Sequence, residues 1–322
     1  MPLAFDPAWL PALEPLLPIL TARPVPKIHD VQTRRDNLAV LGELNSKLPD
    51  PGNLVQERLT FTSYDGASVD ILYSHRVPLS MDAPTAAIVH AHGGGYIAGS
   101  VDMFAKNIAL WAAEHGVPTF SVNYRKAPEH PHPTPVEDYY AGLKFVQTNA
   151  SRFNIDPARI AVFGESAGGG LAAAAALLAR DRQLDPPIAK QVLVYPMLDD
   201  RNLTPIPGIE PFAVWNCESN IMGWTALLGA DKAGKEDADV SPYAAPARAR
   251  SLEGLPRTYM DCGELDIFKS EDLEYVSRLA RANVSVEFHL YPGVPHVFEA
   301  LAPEIWASKA ARANRIRALQ DF

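Results

Sequence analysis

A serine flanked by glycines is the residue in this sequence best suited to act as a nucleophile. Residues 160–170 read Ile-Ala-Val-Phe-Gly-Glu-Ser-Ala-Gly-Gly-Gly, so Ser166 is the centre of a Gly-x-Ser-x-Gly pentapeptide. The pentapeptide follows an apolar run and opens an alanine-rich stretch, which is the pattern of a strand, a sharp turn and a helix. Such a turn exposes the serine hydroxyl above a sheet. The alternative is a simple strand–helix turn with a capping serine.

A serine hydroxyl becomes a useful nucleophile only when a neighbouring base takes its proton. In an elbow of this kind the acid and the histidine follow the serine along the chain, and only His289 and His296 follow Ser166. We expect His296 to be the base because it lies in a loop-like segment, whereas His289 falls inside a strand pattern. The nearby acids are Asp261, Asp266 and Asp272. We expect Asp266 to orient the histidine, because it lies in the loop between a strand and a helix.

A second glycine cluster, His92-Gly-Gly-Gly-Tyr96, follows another apolar run. Ester cleavage passes through a tetrahedral intermediate with a charged oxygen, and fixed backbone N–H groups that meet this oxygen supply a large part of catalysis. Consecutive glycines allow such a backbone, although a flexible turn is the simpler alternative. We predict that the oxyanion donors are the N–H groups of Gly94, Gly95 and Ala167.

These residues must be positioned by strands and helices that alternate along the chain. Short apolar runs predict strands at Val55–Thr62, Ser68–Tyr73, Ala86–Ala91, Pro118–Tyr124, Ile160–Phe163, Gln191–Tyr195, Arg257–Met260 and Val284–Leu290. Helices are predicted at Met103–His115, Val136–Asn149, Ala167–Arg182, Asp272–Ala282 and Pro303–Leu319. The alternation predicts an α/β fold with a mostly parallel central sheet flanked by helices.

Two segments break this alternation. Proline-punctuated short helices are predicted near the N-terminus, and residues 200–240 form an apolar, proline-containing insertion that we expect to cover the sheet's edge. We expect the N-terminal segment to be a lid or cap packed on the main domain rather than an amphipathic membrane anchor, because it lacks a basic polar face. The predicted units are 1–48 (N-terminal part of the cap), 49–199 (first part of the α/β core), 200–240 (cap insertion) and 241–322 (second part of the core).

Together these motifs resemble the hormone-sensitive-lipase-like esterases, the bacterial family IV type of the α/β-hydrolase superfamily. The similarity extends from about Ala86 to Phe298 and includes Asn123-Tyr-Arg-Lys-Ala-Pro-Glu-His130 and Pro135-Val-Glu-Asp138. It implies a Ser166–His296–Asp266 triad, a glycine-loop oxyanion hole, a helical cap, small to medium acyl esters as substrates, and no cofactor. We expect the substrate to contact the aromatic residues Tyr96, Phe212 and Trp215.

The chain departs from the family pattern at three places. Asp266-Ile-Phe-Lys-Ser-Glu271 stands where the family commonly has Asp-Pro-Leu-Arg-Asp-Glu, and His296-Val-Phe replaces His-Gly-Phe. Glu165 replaces the frequent aspartate before the nucleophile. It either supports the site from behind or is a tolerated variant.

Composition excludes several other classes of protein. The net charge of −9 and the lack of a long Lys/Arg run argue against a nucleic-acid partner. The N-terminus does not have the pattern of a secretory signal, and no apolar stretch is long enough for stable membrane insertion. Cys217 and Cys262 are expected to be free thiols rather than one disulfide, which favours a cytoplasmic protein. A homodimer is a further expectation.

The sequence therefore predicts a carboxylic-ester hydrolase. The same triad could act on a lactone or an amide, and a non-catalytic hydrolase-fold ligand receptor is a rival. Plant gibberellin receptors resemble this family but lack the histidine that His296 supplies here. A metal-dependent hydrolase is suggested by His90-x-His92 and His130-Pro-His132. Neither pair has an obvious third ligand, so we predict no metal.

Overall fold

A computed structural model describes residues 2–77 and 83–322, apart from the side chains of Leu41 and Leu44. The strands are β1 (Leu54–Thr62), β2 (Ser68–Arg76), β3 (Thr85–Ala91), β4 (Thr119–Val122), β5 (Ile155–Glu165), β6 (Lys190–Val194), β7 (Arg257–Gly263) and β8 (Val286–Tyr291). They form one sheet in the order β1-β2-β4-β3-β5-β6-β7-β8. Only the β1–β2 and β2–β4 pairs are antiparallel. The predicted α/β class is confirmed.

Helices flank both faces of the sheet. They are α1 (Trp9–Leu13), α2 (Leu17–Thr21), α3 (Val31–Ser46), α4 (Ala105–His115), α5 (Thr134–Thr148), α6 (Ala167–Asp181), α7 (Cys217–Leu228), α8 (Lys269–Arg281), α9 (Phe298–Leu301) and α10 (Trp306–Ala318). The five predicted helices correspond to α4, α5, α6, α8 and α10. Within the described residues, no helix combines the length and the apolar character that crossing a bilayer requires.

The two faces of the sheet carry separate cores because neighbouring residues of a strand point in opposite directions. In β3, Val89 belongs to the core that α5 and α6 cover, whereas Ile88 belongs to the core that contains α10 residues. β3, β5, β6 and β7 each contribute apolar residues to both cores, which is why they appear in the sequence as apolar runs.

The N-terminal segment forms short helices, as its prolines predict, only in its first part. Residues 9–21 form the short helices α1 and α2, each of which contains a proline. Pro24 and Pro26 precede α3, but α3 itself contains no proline and runs without interruption for 16 residues. Trp9 anchors this segment, because its side chain is buried in the same core as Phe298.

The insertion at residues 200–240 lies elsewhere than predicted. It contains α7, which begins where the side chain of Asn216 accepts a hydrogen bond from the amide of Ser219. Trp215 packs directly on Gly95, at the carboxyl end of the central strand β3. The expectation that this segment covers the sheet's edge is therefore wrong, because the edge strands are β1 and β8.

A buried ion pair holds the loop after β4. Arg125 donates to the fully buried carboxylate of Asp138 through Nε and NH2, at 2.9 and 2.7 Å, and to the more exposed Asp65. Asp138 also accepts hydrogen bonds from Ser63 and from the Arg125 amide. The guanidinium thus neutralises a carboxylate that has no access to water.

We predict that Arg125→Met lowers the free energy of unfolding by about 3 kcal/mol, because it leaves the Asp138 charge buried without its counter-ion. Urea denaturation measures this loss. Arg58→Met is the matched control, since the Arg58–Asp70 pair is exposed and surface pairs contribute only about 0–1 kcal/mol. Equal losses in the two variants would contradict the assignment.

Candidate active site

The turn between β5 and α6 holds Ser166 in a strained conformation. Its φ of 57° and ψ of −122° lie outside the regions that ordinary side chains prefer, and its amide donates to the carbonyl of Val194 at 2.9 Å. A Cβ atom on Gly164 would overlap the Gly168 carbonyl, and one on Gly168 would overlap the Ala91 carbonyl. The turn therefore requires glycine at both positions around the serine.

Three predicted residues meet at this turn. His296 Nε2 lies 3.0 Å from Ser166 Oγ, and His296 Nδ1 lies 2.6 Å from Asp266 Oδ2. Ser166 is 6% exposed, His296 4% and Asp266 0%. Both distances are within reach of proton transfer and hydrogen bonding. The structure brings all three side chains into one hydrogen-bonded chain.

Sheet topology accounts for this meeting. Ser166 follows β5, Asp266 follows β7 and His296 follows β8, and these parallel strands end at the same side of the sheet. The two loops also hold each other, because the Leu265 amide donates to the Val294 carbonyl at 3.0 Å. The other histidine considered, His289, lies within β8, where its Nε2 is 2.7 Å from Glu287. It takes no part in the cluster.

Aromatic rings enclose the imidazole. The ring of Tyr195 lies edge-on to His296 with centroids 4.5 Å apart, and Phe268 lies edge-on at 5.2 Å. The amide of Phe268 also donates to Asp266 Oδ1 at 3.0 Å, which leaves Oδ2 for the histidine. These contacts restrict rotation of both the ring and the carboxylate.

The glycine loop after β3 lies against the serine. A Cβ atom on Gly93 would come within 3.3 Å of Ser166 Cβ, and Gly94 and Gly95 adopt φ values of 130° and 60°. Among the backbone hydrogen bonds of the described residues, none uses the N–H groups of Gly94 or Gly95. Ala167 is the first residue of α6, so its N–H has no acceptor within the helix.

Two aromatic side chains support this loop, and sequence reasoning missed both. His92 Nδ1 donates to the Gly93 carbonyl at 2.7 Å, and burial lowers the pKa of His92 well below its usual value, so the ring stays neutral. The Tyr124 ring stacks on His92, and its hydroxyl donates to the His92 carbonyl at 2.9 Å. Both residues lie in the sequence motifs noted above, but the motifs do not reveal this contact.

Glu165 has a definite partner. Its Oε2 lies 2.8 Å from Nε2 of the buried His90, and Nδ1 of the same ring lies 2.9 Å from Ser121 Oγ. Glu165, which directly precedes Ser166, is thus linked through His90 to β3 and β4. His90 is committed to these hydrogen bonds, and within residues 2–77 and 83–322 no three His, Cys, Asp or Glu side chains group as a metal site would require.

The three aromatic residues predicted to contact substrate have different surroundings. Trp215 is half-buried against Gly95 of the glycine loop. Phe212 is half-buried and lies edge-on to Phe5, with centroids 4.9 Å apart. Tyr96 is 1% exposed, and its hydroxyl donates to the Met197 carbonyl at 3.0 Å. Tyr96 therefore packs beneath the loop, and its contact with substrate stays a prediction.

Two buried acids lie close behind Asp266 on α8. Glu271 accepts hydrogen bonds from the Leu198 amide at 2.7 Å and from the side chain of Asn202 at 2.7 Å. Asp272 is fully buried, and among the described residues its oxygens accept no hydrogen bond from a nitrogen or oxygen donor, so the buried thiol of Cys262 is its polar neighbour. Burial raises the pKa of Asp272 well above its usual value, with a further contribution from the neighbouring charge of Glu271. The sequence pattern gave no sign of this, because acids are common in the first turn of a helix.

Known proteins are similar to this chain in architecture and in sequence. A family model described as the alpha/beta hydrolase fold matches residues 88–300. Esterase LipI of Mycobacterium tuberculosis is 30% identical over 319 residues, which cover 96% of this chain and 95% of the relative. Ethyl acetate hydrolase of Pseudomonas putida is 30% identical over 274 residues, with coverage of 82% and 81%. A solved structure titled Bacterial Heroin Esterase is 36% identical, with a TM-score of 0.86 and coverage of 96% and 98%.

The raised pKa of Asp272 makes stability depend on pH. The folded protein holds this proton more tightly than the unfolded chain, so the favourable contribution is complete below the unfolded pKa of about 3.9 and is lost as pH rises towards the folded value. We predict that Asp272→Asn is increasingly more stable than the wild type as pH rises, by about 1.4 kcal/mol per pH unit within that window.

Urea denaturation at pH 5 and pH 7.5 measures this difference. Glu274→Gln is the matched control, because Glu274 lies on the same helix with its carboxyl in solvent. A stability difference between Asp272→Asn and the wild type that shrinks as pH rises would contradict the prediction.

Proposed function

This chain belongs to the hormone-sensitive-lipase-like esterases of the alpha/beta hydrolase fold, and we propose that it hydrolyses carboxylic esters through an acyl-enzyme on Ser166. Its similarity to named esterases shows that the chain is an ester hydrolase. We infer the mechanism from the geometry of the site. The observation that carries it is the buried hydrogen-bonded chain from Ser166 through His296 to Asp266. A receptor that only binds its ligand has no need of a base held 3.0 Å from a serine hydroxyl.

The first step transfers the acyl group to the enzyme. His296 Nε2 takes the proton of Ser166 as Oγ attacks the ester carbonyl carbon, and the carbonyl electron pair moves onto oxygen. When the tetrahedral intermediate collapses, the bond to the alcohol oxygen breaks and the alcohol leaves with the proton from His296. Water then repeats the sequence on the acyl-enzyme, which releases the acid and restores Ser166.

Asp266 and the backbone N–H groups supply the electrostatic part of the reaction. We assign to Asp266 the task of holding the proton on His296 Nδ1 and stabilising the imidazolium, which its complete burial and its 2.6 Å distance support. We assign the oxyanion to the N–H groups of Gly94, Gly95 and Ala167. Their freedom from other backbone partners among the described residues supports this role.

We propose that the cap binds the acyl and alcohol groups of the ester substrate. Residues 1–48 and 200–240 would form it together, and Phe5 of the first segment contacts Phe212 of the second. Trp215 would stand as a wall beside the glycine loop, with Phe212 and Tyr96 extending the apolar lining. Small to medium acyl esters fit this assignment, and one relative is named for the hydrolysis of ethyl acetate.

We also propose a cytoplasmic location. Cys217 and Cys262 are both buried and both free. Two unpaired thiols are typical of a reducing compartment.

Asp266→Asn should lower kcat about 10⁴-fold, because an amide favours the wrong tautomer of His296. Steady-state hydrolysis of a short-chain nitrophenyl ester measures this loss, with burst titration giving the concentration of active enzyme. Glu264→Gln serves as the control in the same loop, since its carboxylate accepts from the Gly293 amide rather than from the histidine. Activity unchanged in Asp266→Asn would refute the assignment of the acid.

Gly94→Ala should lower kcat by about 10²–10³, because a Cβ atom there overlaps the Ala98 carbonyl and must displace an oxyanion donor. Gly66→Ala is the matched control, since Gly66 also has a positive φ but lies in open space. The same kinetic assay measures both variants. Equal kcat for Gly94→Ala and Gly66→Ala would remove the glycine loop from the mechanism.

A further inference from the structure

A second polar cluster reaches His296 through Tyr195. The hydroxyl of Tyr195 donates to Glu299 Oε1 at 2.6 Å, and Arg315 NH1 lies 2.7 Å from the same oxygen. Glu299 is only three residues beyond His296, in the short helix α9. One carboxylate oxygen therefore joins the helix that follows the base to the aromatic ring that packs against the base.

The cluster is anchored to the sheet. Arg315 is 1% exposed, and its Nε and NH2 groups donate to both oxygens of Asp261, at 2.7 and 2.8 Å. Asp261 is fully buried near the end of β7, and its carbonyl accepts from the Tyr195 amide at 2.7 Å. A bidentate pair of this kind fixes the guanidinium in both position and orientation. Glu299 is thus tied to a strand of the central sheet.

Tyr195 transmits this anchoring to the imidazole. Its ring lies 4.5 Å from the His296 ring at an interplanar angle of 63°, and the guanidinium of Arg315 stacks 5.3 Å from its centre. Burial raises the pKa of Tyr195 well above its usual value, so the hydroxyl keeps its proton and remains a donor to Glu299. The ring is held from one side by Arg315 and at its hydroxyl by Glu299.

The backbone beside the base needs such an anchor. Val297 has a φ of 54°, a left-handed conformation that is unfavourable for a β-branched residue. Strained residues persist only where the surroundings fix them. On one side of Val297, His296 is hydrogen-bonded to Asp266. On the other side, Glu299 accepts a hydrogen bond from Tyr195 and forms an ion pair with Arg315.

We propose that Glu299, held by Arg315, is a positioning residue for the catalytic base and acts through the ring of Tyr195. The inference rests on the proposed function, in which His296 is the base. Productive catalysis requires the base within about 0.5 Å and 10–20° of its working geometry. The Glu299–Tyr195 hydrogen bond keeps the imidazole in that range without touching substrate.

The test removes this hydrogen bond from either end. Tyr195→Phe keeps the ring and loses the hydroxyl, Glu299→Ala loses the acceptor, and Glu299→Gln keeps an oxygen that accepts from the Tyr195 hydroxyl. Tyr139→Phe is the matched control, because Tyr139 is an equally buried tyrosine whose hydroxyl donates to the Val89 carbonyl at 2.7 Å, away from His296. Active sites are counted by labelling with a fluorophosphonate, and kcat is expressed per labelled site.

We expect Tyr195→Phe and Glu299→Ala each to lower kcat per labelled site about threefold to tenfold, the range of one hydrogen bond. KM should stay within about twofold, because positioning of the base acts on the transition state. Glu299→Gln should recover most of the loss. The double variant Tyr195→Phe/Glu299→Ala should be no slower than Glu299→Ala alone, since both changes remove the same interaction.

Wild-type kcat per labelled site in Tyr195→Phe would overturn the proposal, as would additive losses in the double variant. So would an equal loss in Tyr139→Phe. Because Tyr195→Phe leaves all charges in place, the test holds even if Glu299→Ala fails to fold. A wild-type enzyme that is neither labelled nor active on esters would overturn the proposed function itself, whereas a labelled and active wild type separates the two conclusions.

Discussion

A carboxylate shut away from water must find donors, and this requirement governs the arrangement around Asp266. The backbone amide of Phe268 satisfies one oxygen, and the second oxygen is left for Nδ1 of His296. Once that ring nitrogen carries the proton, the other nitrogen must face Ser166 as an acceptor. The hydrogen bonds of one buried residue therefore fix the orientation of the imidazole ring, with Nε2 directed at Ser166.

The sheet makes this constraint possible, because parallel strands bring the ends of distant segments together. Only small residues allow the loops to approach closely enough, and Gly164, Gly168 and Gly263 each face a carbonyl oxygen where a Cβ atom would not fit. The close packing of backbone against backbone holds the turn at Ser166 in its strained φ. The strained conformation of Ser166 lowers the stability of the fold and is maintained by the surrounding contacts.

The sequence was sufficient to predict the α/β fold class and the three side chains that the structure brings together at Ser166, because apolar runs and the Gly-x-Ser-x-Gly pentapeptide are local signals. It could not place residues 200–240, since contact between Trp215 and Gly95 depends on how an insertion folds back over the sheet. The complete burial of the Asp272 carboxyl could not be predicted either. An acid in the first turn of a helix has the same local pattern whether it is buried or exposed.

The proposal that His296 activates Ser166 is tested most directly by intact-mass measurement and peptide mapping after reaction with a fluorophosphonate. We predict one covalent adduct per chain, located on the peptide that contains Ser166. In His296→Ala, adduct formation should be at least about a hundredfold slower, which is the low end of the roughly 10²–10⁴-fold contribution of a general base. An adduct on another residue, or labelling of His296→Ala at the wild-type rate, would contradict it.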